Sequence, residues 1–221
     1  VNADPRPPVL GQSAAATADA IADHTADHTA DHTDDHTADL VAGPLDVAAL
    51  RDRFREGKRT LIAHFLQSRA TAPAASRLIK ALTRHVDTLL GQLWTHSDLP
   101  ASAALVAVGG YGRAELLPHS DIDVLLLLPE HANTDAGSPL KATIEAFITA
   151  CWDIGLEIGS AVRTVAECVA ESRADQSVQT ALLESRLVCG SRKLCASFQR
   201  ETTAVMDAKA FLRAKTLEMH Q

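Results

Sequence analysis

The chain has 221 residues, enough for one good-sized domain and a small helical addition. Hydrophobic residues make up 46% and charged residues 22%, an ordinary globular balance. With 21 Lys and Arg against 28 Asp and Glu, the formal net charge of −7 offers no basic face to nucleic acid and points to a small-molecule or protein substrate.

Residues 1–44 are rich in Pro, Ala, Asp and Thr and almost free of large apolar side chains. An Asp-His-Thr-Ala unit repeats there, placing His24, His28, His32 and His36 four residues apart. On a helix these imidazoles would share one face and could hold a metal. Asp and Thr are mediocre helix formers, however, and no apolar stripe would anchor such a helix, so a disordered tail is the expectation. Val1–Leu10 lacks the basic start and apolar run of a signal peptide, and the apolar run Val124–Leu128 is far too short to cross a bilayer. A cytoplasmic protein without a membrane partner is expected.

From Asp46 the pattern becomes helical: Val47, Leu50, Phe54, Leu61, Ile62, Phe65 and Leu66 recur at approximately helical spacing, with an interruption predicted near Gly57. Pro73 breaks this pattern and Ser76 is read as the next N-cap. Leu78, Ile79, Leu82, Val86, Leu89, Leu90, Leu93 and Trp94 then form an amphipathic stripe, with Pro100 marking the exit. Residues 45–100 are thus an N-terminal helical segment, followed by a core at 101–175 and a C-terminal helical segment at 176–221.

Ala104–Val108 reads as a buried strand ending at a glycine pair. Ala114–Leu117 is read as opening a helical turn that Pro118 stops, and Asp121–Leu128 as a second strand. Leu140–Trp152 is predicted helical, and Gly155–Arg163 alternates as a third strand. Thr164 and Glu167 form a capping-box signature. Val178–Met219 has a helical pattern with a break near Gly190. The cysteines, Cys151, Cys168, Cys189 and Cys195, show no CxxC or zinc spacing and are expected to be reduced.

The chemistry concentrates in Gly109-Gly110-Tyr111-Gly112-Arg113 and Ser120-Asp121-Ile122-Asp123. A glycine pair after a strand lets backbone amides approach a phosphate without interference from a Cβ, though such pairs also serve as plain turns. Asp121 and Asp123, two apart in a strand, project from one face and repel each other unless a cation intervenes. A solvated strand end could carry the same residues. Taken together, a strand, a glycine turn and a second strand with Asp-x-Asp set phosphate-binding amides beside a divalent-metal platform, which is what nucleotidyl transfer requires.

These residues closely resemble the core of the DNA-polymerase-β-type nucleotidyltransferases and, among them, the PII uridylyltransferase/uridylyl-removing enzymes. The likeness continues through Trp152-Asp153-Ile154-Gly155-Leu156-Glu157-Ile158-Gly159, Val162-Arg163-Thr164 and Leu183-Glu184-Ser185-Arg186-Leu187, with a fainter echo at Phe54-Arg55-Glu56-Gly57-Lys58. It departs at Ala114, where the family usually has glycine, and at Ser160-Ala161, where it often has His-Ser.

The resemblance implies an α/β (α+β) fold: a small mixed sheet with flanking helices. It also implies Mg²⁺-dependent transfer of UMP from UTP to a tyrosine hydroxyl of the PII signalling protein. Asp121 and Asp123 would hold the metal, and a third carboxylate on a neighbouring strand would complete the site. Glu157 is chosen for that role from its mid-strand place, with Asp153 as the rival. Gly109 and Gly110 would cradle the phosphates. Arg113, Ser120 and Arg163 are further candidates for phosphate contact, against plain readings as a surface ion pair, a turn cap and a surface ion pair. Tyr111 could stack or pack. Nothing here selects the base, so an adenylyltransferase of the same superfamily is a second reading and a non-catalytic nucleotide-binding remnant a third. The family's full-length members add a histidine–aspartate metal domain that removes UMP, and small ligand-sensing domains. No such His-Asp dyad appears after residue 130, so the physiological protein is expected to be longer than this chain.

Because residues 1–44 lack the apolar surface that offsets ordering entropy, their deletion should leave the melting temperature and nucleotide binding unchanged. A large drop in Tm, or micromolar zinc binding by the repeat, would contradict this.

Overall fold

Residues 45–206 are described by the structure, a computed structural model; the histidine repeat and residues 207–221 lie outside them. Helix α1 spans Val47–Gln67 and is opened by Asp46, whose carboxylate accepts the Ala49 amide at 2.9 Å. It runs through Gly57 without the predicted interruption. A Cβ at Gly57 would lie 2.3 Å from Cε1 of His85, whose ring stacks on Phe54 at 6.1 Å between centroids. The glycine is there to admit a neighbouring ring, and the helix pattern alone could not distinguish that from a break. Helix α2, Ala72–Thr95, is capped by Thr71 rather than Ser76. Pro73 falls in its first turn, where a missing N–H costs nothing.

Strand β1 is Ala104–Ala107, and the short helix α3 follows at once as Gly109–Gly112. Strand β2 is Ile122–Leu128, helix α4 is Pro139–Asp153 and strand β3 is Ile158–Thr164. Helices α5 (Val165–Ala174) and α6 (Gln176–Leu183) lead into strand β4 (Arg186–Gly190), and helix α7 (Arg192–Ala204) closes the described region. The predicted capping box is present in α5: Thr164 and Glu167 satisfy each other's backbone amides at 3.3 and 2.7 Å.

The four strands form one sheet in the order β3-β2-β1-β4, with β2 and β3 parallel and the other pairs antiparallel. Alternation along β2 divides the core into two layers. Ile122, Val124, Leu126 and Leu128 pack against Val86, Leu90, Ile144 and Phe147 of α2 and α4. Leu125 and Leu127 face the opposite way, onto Val165, Cys168, Leu182, Cys195 and Phe198 of α5, α6 and α7. The expected mixed sheet flanked by helices is therefore what the chain builds. All four cysteines are free thiols, and burial pushes Cys151, Cys168 and Cys189 up to about 12.

Three further local readings need correction. The segment read as continuous helix from Val178 contains β4, which fills the second edge of β1. A five-residue strand carries too little period to announce itself, and tertiary pairing decides its form. The third strand begins at Ile158 rather than Gly155, because Gly155 turns at φ +90° and Leu156 drops into the first core layer. Glu157 consequently precedes β3 instead of lying within it, although its carbonyl accepts the Ile122 amide at 2.9 Å and continues the register.

The third correction concerns the glycine motif, where the helical turn is Gly109–Gly112 itself and not Ala114–Leu117. It ends in a Schellman closure: the Glu115 amide donates to the Gly110 carbonyl and the Ala114 amide to the Tyr111 carbonyl, both at 3.0 Å. That closure places Ala114 at φ +59°, a left-handed conformation that disfavours any residue with a Cβ. The departure from the family's glycine is therefore strained. The αL penalty of about 1–2 kcal/mol exceeds the roughly 0.4–1 kcal/mol that alanine contributes by restricting the unfolded chain. Ala114→Gly should accordingly stabilise the protein by about 0.5–1 kcal/mol, raising Tm by ~2 °C; an unchanged or lower Tm in thermal melts would contradict the strain.

Candidate active site

Asp123 is the second residue of β2 and points to the same side of the sheet as Leu125 and Leu127, at the open end of that face. Its carboxylate occupies a slot between two glycines. A Cβ on Gly159, its register partner on β3, would lie 2.6 Å from Oδ1, and a Cβ on Gly109 would lie 3.8 Å from Oδ2. On the Gly159 side a side chain would collide with the carboxylate. On the Gly109 side φ is +58°, a second reason for glycine. The Val108 amide donates to the Asp123 carbonyl at 3.1 Å and ties the glycine turn to the head of β2.

Asp121 lies one residue before β2, and both aspartates are exposed. Among the described residues, neither carboxylate accepts a hydrogen bond or joins an ion pair, and the same holds for Glu157. Burial, and then the charge of Asp121, holds the Asp123 carboxyl above the usual carboxylate range. Two unpartnered acidic groups on one face, one of them held above its usual range, are suited to a cation between them.

Glu157 lines the same open pocket as Asp121, about 530 Å³ in volume, together with Trp152 and Gly159. Asp153, its rival for the third carboxylate, sits at the end of α4, where its carbonyl accepts from Arg51, and does not line that pocket. No three His, Cys, Asp or Glu side chains among the described residues are gathered into a ready ligand group. The residues present therefore fit a divalent ion as a pair, Asp121 and Asp123, with Glu157 alongside.

The amides of Gly109, Gly110 and Tyr111 open α3 and have no partner four residues back. Arg113 is exposed and paired with Glu115 at 2.9 Å and also with Glu184. Ser120 caps its own turn, its hydroxyl accepting the Leu117 amide at 3.0 Å. Arg163 reaches Glu171 at 3.6 Å on the far part of β3.

A network that sequence reasoning missed lies beneath the glycine turn. Tyr111 is buried, and its hydroxyl donates to Asp87 of α2 at 2.6 Å. Arg186 of β4 donates to both oxygens of the same carboxylate at 2.9 and 3.0 Å and lies over the Tyr111 ring. Burial, reinforced by Asp87, pushes the tyrosine well above its usual range, so it remains a donor. The one available signal was Arg186 inside the block Leu183–Leu187. Nothing in the pattern pointed to Asp87, which lies 24 residues from Tyr111 and 99 from Arg186.

Comparison with known proteins bears on this arrangement. Residues 52–180, which hold the glycine turn, both aspartates, Glu157 and Asp87, match the nucleotidyltransferase family DUF294. The chain belongs to this nucleotidyltransferase family. Among its relatives are the bifunctional uridylyltransferase/uridylyl-removing enzymes of Cupriavidus metallidurans, 48% identical over 78% of this chain, and of Cupriavidus pinatubonensis, 49% identical over 79%. The corresponding enzyme of Burkholderia pseudomallei is 46% identical over 82% of the chain. This nucleotidyltransferase chain spans about a fifth of the length of those relatives, 19–20%. No described helix is long and apolar enough to cross a membrane.

The unrelieved charge at Asp123 has a measurable sign. With its folded pKa raised, the native state holds the proton more tightly than the unfolded chain, so stability falls as the pH rises from the unfolded aspartate value through the raised one, and the cost is fully present above it. Asp123→Asn should therefore raise Tm in metal-free buffer at neutral pH. The gain should fade as the pH falls through the raised pKa towards the ordinary aspartate value of about 3.9. A Tm difference independent of pH would show that the carboxylate is not strained.

Proposed function

We propose that this chain carries the transfer step of a PII uridylyltransferase: UMP passes from UTP to a tyrosine hydroxyl of the PII signalling protein and pyrophosphate is released. The observation that supports this most is the Asp123 carboxylate, unpartnered and held in a slot that two glycines keep clear, next to the opening amides of α3. The uridylyltransferase names of the relatives favour UTP over other triphosphates.

In this reading Asp121 and Asp123, with Glu157 alongside, would hold Mg²⁺, and the ion would supply charge neutralisation to the transfer. The Gly109 and Gly110 amides receive the β- and γ-phosphate oxygens, where a side chain would obstruct them. Arg113, drawn from its glutamate partners, and Ser120 are secondary phosphate contacts. The phenolic oxygen bonds to the α-phosphorus as the bond from phosphorus to the bridging oxygen breaks. The phenol's proton passes to Glu157, the carboxylate beside Asp121 that carries no other partner. The compartment in this reading is the cytoplasm.

Asp121→Asn and Asp123→Asn should each reduce transfer by more than about 100-fold, beyond the loss seen even for indirect partners of a metal, with circular dichroism unchanged. Near-normal transfer by a folded double variant would end this reading. Competition among all four triphosphates separates it from adenylyl transfer, and metal-dependent pyrophosphate release separates it from a remnant that only binds.

A further inference from the structure

Trp152 is the one large aromatic side chain among the described residues that is left mostly in water, 57% exposed. Helix α4 buries Ile144, Phe147 and Cys151 in the core but turns this indole outward in its last turn. Trp94, the other tryptophan of the chain, packs edge-on against Phe147. The exposed indole opens onto the carboxylates, lining the same pocket as Asp121, Glu157 and Gly159.

The position of that pocket across the sheet gives it a direction. Asp123 on β2 has Gly109, after β1, on one side and Gly159, on β3, on the other. In-line displacement needs the entering and leaving oxygens on opposite sides of phosphorus. If pyrophosphate departs towards the α3 amides, the entering hydroxyl arrives over β3, where Trp152 stands. The lining of that pocket includes Asp121 and Glu157 and neither Lys nor Arg, an unfavourable wall for a triphosphate and a suitable one for a neutral phenol. A flat indole offers such a ring a stacking face, and aromatic anchors of this kind dominate protein recognition.

We propose that Trp152 is the acceptor platform: the tyrosyl ring of the protein substrate stacks on its indole and brings the phenolic oxygen to Glu157 and the aspartates. This rests on the reading that the acceptor is a tyrosine of PII.

The test uses the chain labelled with 5-fluorotryptophan, which carries two fluorine resonances, the Trp152 one assigned by its absence in Trp152→Phe. The acceptor is PII with its target tyrosine replaced by phenylalanine, so that the ring stays and transfer cannot occur. We expect that PII shifts the Trp152 resonance and leaves Trp94 in place, while UTP with calcium shifts neither. In transfer assays Trp152→Ala should raise the KM for PII at least tenfold with the KM for UTP unchanged, and Trp152→Phe should recover most of the loss. A Trp152 shift with UTP alone would make the indole a nucleobase platform and overturn the proposal. PII binding by sedimentation without a Trp152 shift would also overturn it, leaving the proposed function intact. Absence of PII binding altogether would remove the proposed acceptor and this inference together.

Discussion

Asp87 of α2 receives the Tyr111 hydroxyl and two guanidinium bonds from Arg186, and the face that carries the glycine turn is organised around that carboxylate. A four-residue helix cannot sustain itself, since fixing the first turn costs more backbone entropy than one hydrogen bond returns. Helix α3 therefore depends on what grips it from below. The buried Tyr111 ring provides that grip, clamped to α2 through Asp87 and to β4 through Arg186. Hydrogen bonds to charged groups contribute about 1.5–3 kcal/mol apiece, enough for this cluster to fix a short turn. The Arg186 Nε is buried with no partner, so the clamp carries a desolvation cost that a purely apolar contact would avoid. What it secures is position: one carboxylate holds α2, the glycine turn and β4 together.

That docking makes the glycine at the end of α3 obligatory. A Cβ on Gly112 would lie 1.7 Å from the Glu184 carbonyl oxygen, at the junction of α6 and β4. The turn can press this closely only because no side chain intervenes, and Arg113 adds an ion pair to Glu184 at the same junction. The strain at Ala114 follows from the same constraint. The chain must leave α3 through a Schellman closure to return to β2, and the left-handed step falls on a residue that dislikes it. Stability is surrendered at Ala114 and again at the unpartnered Asp123, both within one loop's length of the proposed reaction centre.

How much of this was legible in the sequence depended on the range of the interaction. The glycine pair, Asp121 and Asp123 are local signals, close together in sequence, and the structure places Gly109 against Asp123. Caps are equally local, and the Thr164–Glu167 box was legible from spacing alone. Strand β4 was not, because its form is imposed by the free edge of β1, some 80 residues earlier by its register of Ala107 with Arg186. Gly57 misled for the same reason: the ring that needs its missing Cβ belongs to His85 on another helix. The choice of Glu157 rested on a strand from Gly155 that in fact starts at Ile158, just after Glu157, yet its carbonyl continues the β2–β3 register and it lines the pocket beside Asp121. Tyr111 could not be assigned from sequence because both groups that define it are distant.

The face so built is asymmetric, and the asymmetry has an electrostatic logic. On the β1 side of Asp123 the backbone offers amide hydrogens at the start of α3; on the β3 side the chain offers carboxylate and indole. An anion is drawn to the first side and repelled from the second. A substrate with a charged leaving group and a neutral entering group therefore has one favourable orientation before any specific recognition occurs. In a chain of net charge −7, overall charge does not draw phosphate in, which leaves this local polarity as the orienting influence in the proposed reaction. A cation between Asp121 and Asp123 would reinforce it, because it offsets the burial and the Asp121 charge that together hold Asp123 above its usual range, and extends the positive side of the site towards the glycine turn.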